Sequence, residues 1–241
     1  MPQANRIGVF SLGRKQSERC PNKMLRPFAD TTLTDLILEK LAVLPYDTFF
    51  AGYEPEFKAK CHRAGVRFVQ RDHHSIMIDQ PIVEILSFLR SVEYEHVLLV
   101  SPCLPFLGVE SIRRFAEDCL DHDVRPAFSV VRRKNYFLTL RREPLNFDLR
   151  GKTINTKTVK PVYEFAHALY FFNRRFFLRE GRYWDWRRVR LIELPAGREL
   201  LDVDTEEDFS LISAMWSAER GQTPSRHESS LRGLTPASIK Y

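Results

Sequence analysis

The chain has 241 residues, 44% of them apolar and 28% charged, enough for one α/β domain with an extension and a substantial core. No apolar run is long enough to span a membrane, and the N-terminus lacks the basic and apolar regions of a signal peptide, so a soluble, cytoplasmic protein is expected. Cys20, Cys61, Cys103 and Cys119 show neither paired metal-ligand spacing nor the density of a disulfide scaffold, which predicts reduced, mostly buried thiols.

Ile7–Leu12 is a short apolar run bounded by Gly13 and suits a buried strand. Thr32 caps a predicted helix with Leu33, Leu36, Ile37, Leu41 and Leu44 at helical spacing, ended by Pro45. Thr48–Gly52 is the next strand, Pro55–Ala64 a helix stopped by Gly65, and Val66–Val69 a third strand. Pro81–Leu89 is predicted helical, His96–Val100 a continuous apolar strand, Val109–Leu120 a helix with Ile112, Phe115 and Leu120, and Ala127–Val131 a further strand. Strands and helices alternating over 130 residues predict a mostly parallel sheet with helices on both faces, wound by right-handed crossovers.

The period then breaks. Residues 132–165 are predicted to form an irregular excursion with short antiparallel strands. His167–Phe172 and Leu191–Leu194 return as strands, and Thr205–Arg220 is a terminal helix with Phe209, Ile212, Met215 and Trp216 on one side. Residues 1–216 are expected to form a single domain, and 217–241 a polar tail. The formal charge of +6 is unevenly placed: residues 132–190 hold sixteen Lys plus Arg against five Asp plus Glu, so the remainder is net acidic by five. A basic segment of this kind attracts nucleotides, phosphates or carboxylated substrates, and equally nucleic acid. Tyr136, Phe137, Tyr183, Trp184 and Trp186 add rings on which bases could stack.

Chemistry concentrates in a few stretches. After the first strand, Arg14, Ser17, Arg19 and Lys23 share a loop with Gly13 and Pro21, and open α/β sheets bind ligands just outside the carboxyl ends of their strands. Arginine forks, a lysine charge, a hydroxyl and loop amides suit phosphate oxygens; a solvated basic loop is the alternative. Near the end, Asp202 and Asp204 point to one side of an extended segment, where they suit Mg²⁺ in the presence of phosphate oxygens. A capping box between Asp204 and Glu207 would explain the pair without metal, and Asp208 reads as a helix-surface residue. Arg71 follows the third strand, where it either meets a ligand or pairs with Asp72 or Asp79. His167 reads as a satisfied residue beside a strand, and His73 and His74 as exposed loop residues.

The order Arg14-x-x-Ser17-x-Arg19-x-Pro21-x-Lys23 resembles the signature of the CMP-sugar synthetases, cytidylyltransferases that activate sialic acids and related acidic sugars; Met24 stands where that family usually has Asn. Asp202-Val-Asp204-Thr-Glu-Glu-Asp208 resembles the family's Asp-Ile-Asp-Thr-x-x-Asp. Leu98-Leu-Val-Ser101-Pro-Cys103-Leu-Pro105 resembles its Leu-Leu-Gln-Pro-Thr-Ser-Pro, with Ser101 for Gln. Pro161-Val-Tyr163-Glu-Phe-Ala166-His167-Ala-Leu-Tyr170 resembles Pro-x-Tyr-x-x-Asn-Gly-Ala-x-Tyr.

The resemblance implies a Rossmann-like nucleotidyltransferase fold whose basic excursion over 132–190 serves dimerisation. It implies nucleotide binding by Leu12, Gly13, Arg14, Ser17, Arg19, Lys23 and Arg71, with Arg14 and Lys23 catalytic and Mg²⁺ on Asp202 and Asp204. Ser101, Cys103, Tyr163 and His167 would face the acceptor. The implied reaction joins CMP from CTP to an acidic acceptor and releases pyrophosphate. A ulosonic acid is the default acceptor, and a phosphorylated small molecule, such as a phosphorylated amino-acid derivative used in capsule modification, is the runner-up. A nucleic-acid-binding protein is the reading from a different class, at odds with the basic loop and the Asp pair.

Overall fold

The computed structural model describes residues 7–77, 79–121, 125–151 and 155–221. Seven strands form one sheet: β1 (Ile7–Leu12), β2 (Asp47–Gly52), β3 (Arg67–Gln70), β4 (His96–Val100), β5 (Ala127–Arg133), β6 (Val162–Asn173) and β7 (Arg190–Glu193). Their order is β3-β2-β1-β4-β6-β5-β7. All neighbours are parallel except β6, which runs antiparallel to both β4 and β5. The expected mostly parallel sheet is present, and the reversed strand lies inside it.

Alternation along the strands splits the core in two. Ile7, Val9, Phe50, Leu98, Val100, Leu169 and Phe171 face one side. There they meet α1 (Leu33–Ala42), α2 (Pro55–Ala64), α5 (Val109–Asp121) and α7 (Glu206–Glu219), which contribute among others Leu36, Phe57, Phe115 and Phe209. Phe10, Phe49, Val97, Leu99 and Phe172 face the other side and pack on Leu86, Phe88, Leu89 and Phe177. Phe177 comes from α6 (Arg174–Glu180). Gly65 closes α2 at φ +69, the left-handed stop that a glycine makes easy.

Three expectations change. The predicted helix over 81–89 is broken: a turn of helix, α4 (Ile82–Ile85), gives way to a 3₁₀ stretch at Ser87–Ser91, tight enough to bury Phe88 and Leu89 together. His73 and His74 are exposed as expected but open a short helix, α3 (His73–Ile76), capped by Asp72. The strand expected at His167 begins five residues earlier, because β5 and β6 run on together past the sheet as far as Arg133 and Val162.

The excursion is otherwise irregular, as read. It holds a small hairpin with a bridge between Leu138 and Pro144. Asn146, only 8% exposed, ties it together. Its amide donates to the carbonyls of Asn135 and Lys160, and its Oδ1 accepts from the amide of Phe137. Most of the polar tail, residues 222–241, lies outside the described residues.

Gly13 marks where β1 and β2 open toward the loop. Its amide donates to the carbonyl of Ala51 at 3.0 Å, and a Cβ there would stand 2.5 Å from the ring of Phe50 and 3.2 Å from that of Phe57. Both rings are fully buried, so Gly13→Ala is expected to cost about 1–3 kcal/mol through forced repacking, measured as a lower midpoint in urea at unchanged slope.

Candidate active site

The loop after β1 is held from beneath by apolar anchors. Cys20 is fully buried and Met24 is 3% exposed. The Met24 carbonyl accepts from both the amide and the hydroxyl of Thr34, and Asn22 adopts φ +54 at the turn. Arg14, Ser17, Arg19 and Lys23 line a cleft of about 390 Å³ together with Met24, Leu12, Glu18, Asp79, Pro102, Cys103 and Asp204. Arg14 is steadied from α3, its Nη1 donating to the carbonyls of Ile76 and Met77 at 3.2 Å.

Lys23 joins the two ends of the chain. Its Nζ donates to the carbonyl of Val203 at 2.6 Å and lies 3.5 Å from Asp204 Oδ1, which also receives Arg19 at 3.1 Å. Burial works against the charge on Lys23, but Cys103, Asp204 and Asp202 outweigh it and hold its pKa above the usual lysine value. Burial pushes the Cys103 thiol up to about 11, so near neutral pH it stands in the cleft as an uncharged group.

The carboxylates divide differently from the expected capping box. Thr205 caps α7 and Asp208 completes the box, its Oδ2 accepting from the amide and hydroxyl of Thr205. Asp208 is therefore a structural cap and not a plain surface residue. Asp204 plays no part in capping with its own side chain. Asp202 Oδ1 is buried without a hydrogen-bond partner. Burial, followed by the charge of Asp204, pushes the Asp202 carboxyl up to about 6. An orphaned buried carboxylate oxygen beside a second carboxylate fits a hard divalent cation. Among the described residues no group of three His, Cys, Asp or Glu stands ready to hold a metal, so such a cation would need phosphate oxygens and water to fill its shell.

In cation-free protein the buried Asp202 carboxyl makes stability depend on pH. Unfolded Asp202 titrates near pH 4 and the folded group near 6. The folded state thus holds the proton more tightly, and stability falls as pH rises through about 6. Thermal melts in chelator should show Asp202→Asn gaining on the parent protein between pH 5 and 7.5, with no gain at pH 4.

No family profile and no curated protein sequence matches the chain. Solved structures do. A CMP:2-keto-3-deoxy-manno-octonic acid synthetase complexed with CTP is 12% identical, covers 89% of this chain and 99% of its own, and has a TM-score of 0.64. A 4-diphosphocytidyl-2C-methyl-D-erythritol synthase from Anaerococcus prevotii is 11% identical, over 88% of this chain and 96% of its own, with a TM-score of 0.60. A nucleotidyl transferase from Methanothermobacter thermautotrophicus is 16% identical, over 89% and 99%, with a TM-score of 0.58. This chain has the nucleotidyltransferase fold.

Within that nucleotidyltransferase fold the remaining expected residues separate. Arg71 does not pair with Asp72 or Asp79 on the surface; it is 3% exposed, beneath the loop. Its guanidinium donates to Ser75 Oγ, the Ser75 carbonyl and the Gly13 carbonyl. Burial and then the charge of Arg14 push it down to about 10, still cationic at neutral pH. It backs a second cavity of about 440 Å³ that shares Leu12, Arg14 and Asp79 with the first. Cys103 is in the first cleft, and Ser101 Oγ lies 3.4 Å from its amide.

Tyr163 is not brought to this cleft. It is 51% exposed on the part of β6 beyond the sheet, and its hydroxyl donates to Glu193 of β7 at 2.8 Å. His167 is exposed, with Nδ1 2.5 Å from the hydroxyl of Tyr170. Sequence reasoning missed Glu18, Asp79 and Pro102 as cleft residues and Tyr170 as the partner of His167. The last carried a signal in its spacing of three, which a bulge converts into contact.

Proposed function

We propose that the protein is a cytidylyltransferase that joins CMP from CTP to a small acidic acceptor and releases pyrophosphate, with Mg²⁺ as cofactor. The observation that carries this reading is Lys23 Nζ, seated between the Val203 carbonyl and Asp204, which brings the basic loop and Asp204 into one cleft of a nucleotidyltransferase fold. A solved structure of that fold, 12% identical to this chain, is complexed with CTP. The 440 Å³ cavity beside Gly13, Arg71, Ser75 and Gln80 would take the base. The loop residues would grip the triphosphate.

In the reaction, the acceptor oxygen attacks the α-phosphorus, the bond to the bridging oxygen breaks, and the electron pair leaves with pyrophosphate. Charge growing on the phosphate oxygens is met by Lys23 and Arg14, positioned before the reaction and backed by protein rather than water, so positioning and electrostatics supply most of the rate. Arg19 stands at the rim, 67% exposed. Asp202 and Asp204 would hold the cation, which supplies neutralising charge to the phosphates when bound. The acceptor proposed by default is a ulosonic acid, and the same chemistry on a phosphorylated small molecule is the alternative. Exposed Leu138, Leu140, Leu145 and Leu149 on the basic excursion favour a homodimer in which that excursion meets a second copy, to be read by sedimentation.

The test is pyrophosphate release from CTP, UTP, ATP and GTP with Mg²⁺ against ulosonic acids and small phosphorylated acids. Release that requires CTP and an acid is the expected result. Silence with every nucleotide, or equal use of all four, would overturn the reading.

A further inference from the structure

Ties of two kinds hold the loop after β1 to the start of α7. The first run through the cleft itself: Asp204 Oδ1 receives Arg19 at 3.1 Å and lies 3.5 Å from Lys23 Nζ. Those are the charges that a triphosphate and its cation would claim. Ligand binding therefore weakens the very ion pairs that join the two ends of the chain in the free protein.

The second kind uses no group of the cleft. Arg26 grips Glu206 with both arms of its fork, Nη1 donating to Oε1 at 3.0 Å and Nη2 to Oε2 at 2.7 Å. Nη2 also reaches Cys20 Sγ at 3.2 Å, and the guanidinium carbon lies 3.8 Å from the centre of the Phe209 ring. A planar fork that meets both carboxylate oxygens and rests on a buried ring is fixed in orientation.

Both ends of this clamp stand on locally ordered backbone beside the site. Arg26 shares a turn with Lys23, closed by the Asn22 carbonyl, which accepts from the amides of Leu25 and Arg26 at 3.1 Å. Glu206 opens α7 inside the box formed by Thr205 and Asp208, just after Asp204. Farther down α7 the chain is joined again, by the Ala29 amide on Ser213 Oγ at 2.9 Å and by Phe28 edge-on to Phe209.

We propose that Arg26 is a positioning residue: by its two-point grip on Glu206 it fixes the distance between Lys23 and Asp204, so that the loop and the carboxylate act on one nucleotide together when their direct ion pair is given up. The inference rests on the cytidylyltransferase reading and adds to it a residue that lines neither cavity. Its signature is coupling: the clamp matters where the loop and Asp204 hold the same ligand, and not where the loop binds alone. Lysine in its place keeps the charge but loses the fork and the flat stacking face.

Calorimetry on the full chain tests it, with CTP titrated in chelator and again in Mg²⁺. The factor by which Mg²⁺ tightens CTP is the readout. Arg26→Lys should cut that factor about fivefold or more, while CTP in chelator, which needs the loop alone, binds as it does to the parent protein. Glu206→Gln should do the same, and the double variant should lose no more than the larger single loss, since both changes remove one contact. Ser213→Ala, which breaks the farther tie, should leave both affinities unchanged although it lowers the thermal midpoint. Lost stability by itself moves neither affinity, so an unchanged Mg²⁺ factor in Arg26→Lys would overturn the proposal. So would an equal loss in chelator and in Mg²⁺, additive losses in the double variant, or the same loss in Ser213→Ala. Should Arg26→Lys not fold, Glu206→Gln carries the test by itself, its side chain being 55% exposed. A parent protein that does not bind CTP, or binds it no tighter in Mg²⁺, would instead sink the cytidylyltransferase reading and this proposal with it.

Discussion

Exchange of Lys23 for methionine is expected to lower kcat for pyrophosphate release from CTP by about 10²- to 10³-fold, the usual loss when one preorganised group facing transition-state charge is removed. The side chain is 13% exposed and its ammonium sits 2.6 Å from the Val203 carbonyl. Methionine fills the same channel without the charge. Lys23→Arg should not restore activity, because a planar fork on a longer stem has no room at that contact. Near-UV circular dichroism will show whether the loop keeps its packing. Retention of more than about a tenth of the parent rate, against a loss of at least 10² expected here, would remove Lys23 from the role assigned to it.

The second large effect separates three neighbouring carboxylates. Asp204→Asn is expected to reduce kcat roughly 10²-fold and to raise the Mg²⁺ concentration for half activity at least tenfold, because a cation held here would share Asp202 and Asp204 as its protein carboxylates. Asp202→Asn should act in the same direction. Asp208→Asn, four residues from Asp204, should leave the Mg²⁺ dependence unchanged and cost about 1 kcal/mol of stability, or about 2–4 °C, through the cap of α7. A metal titration and a thermal melt on each variant check this. A Mg²⁺ shift in Asp208→Asn, or none in Asp204→Asn, would reverse the assignment.

That separation shows where sequence reasoning runs out. The strand Ile7–Leu12, the helix Pro55–Ala64 and the strand His96–Val100 have the bounds read from composition and punctuation, because burial on both faces and a glycine stop act locally. The cap did not follow from spacing: Asp204 with Glu207 and Thr205 with Asp208 are equally spaced pairs, and only the backbone at Thr205, φ −116, decides between them. For Arg71 a ligand contact and a surface ion pair both stayed open in the sequence, because nothing local announces that the Gly13 loop folds over it. Arg14, Arg19, Lys23 and Asp204 were legible as a group only through the resemblance of their motifs to the CMP-sugar synthetases. Their meeting depends on a contact 180 residues apart in the chain. His167 was read as a satisfied residue, since the bulge that exposes it is a matter of register between two distant strands.

The reversed strand inside the sheet also bears on how the polypeptide matures as it leaves the ribosome. β4 pairs with β1 on one side and with β6 on the other, so after residue 100 is made its outer edge, with Val97 and Leu98 fully buried in the finished protein, waits for residues 169–173. β5 is finished at Arg133 but its β4-side partner is the same late strand, and β7 attaches to the sheet only through β5. Three of the seven strands therefore join the sheet late, after a long loop closure. Until then a sticky apolar edge stays open. A variant that weakens β6 should show itself first as poor yield and aggregation of the nascent chain, before any defect in the purified molecule.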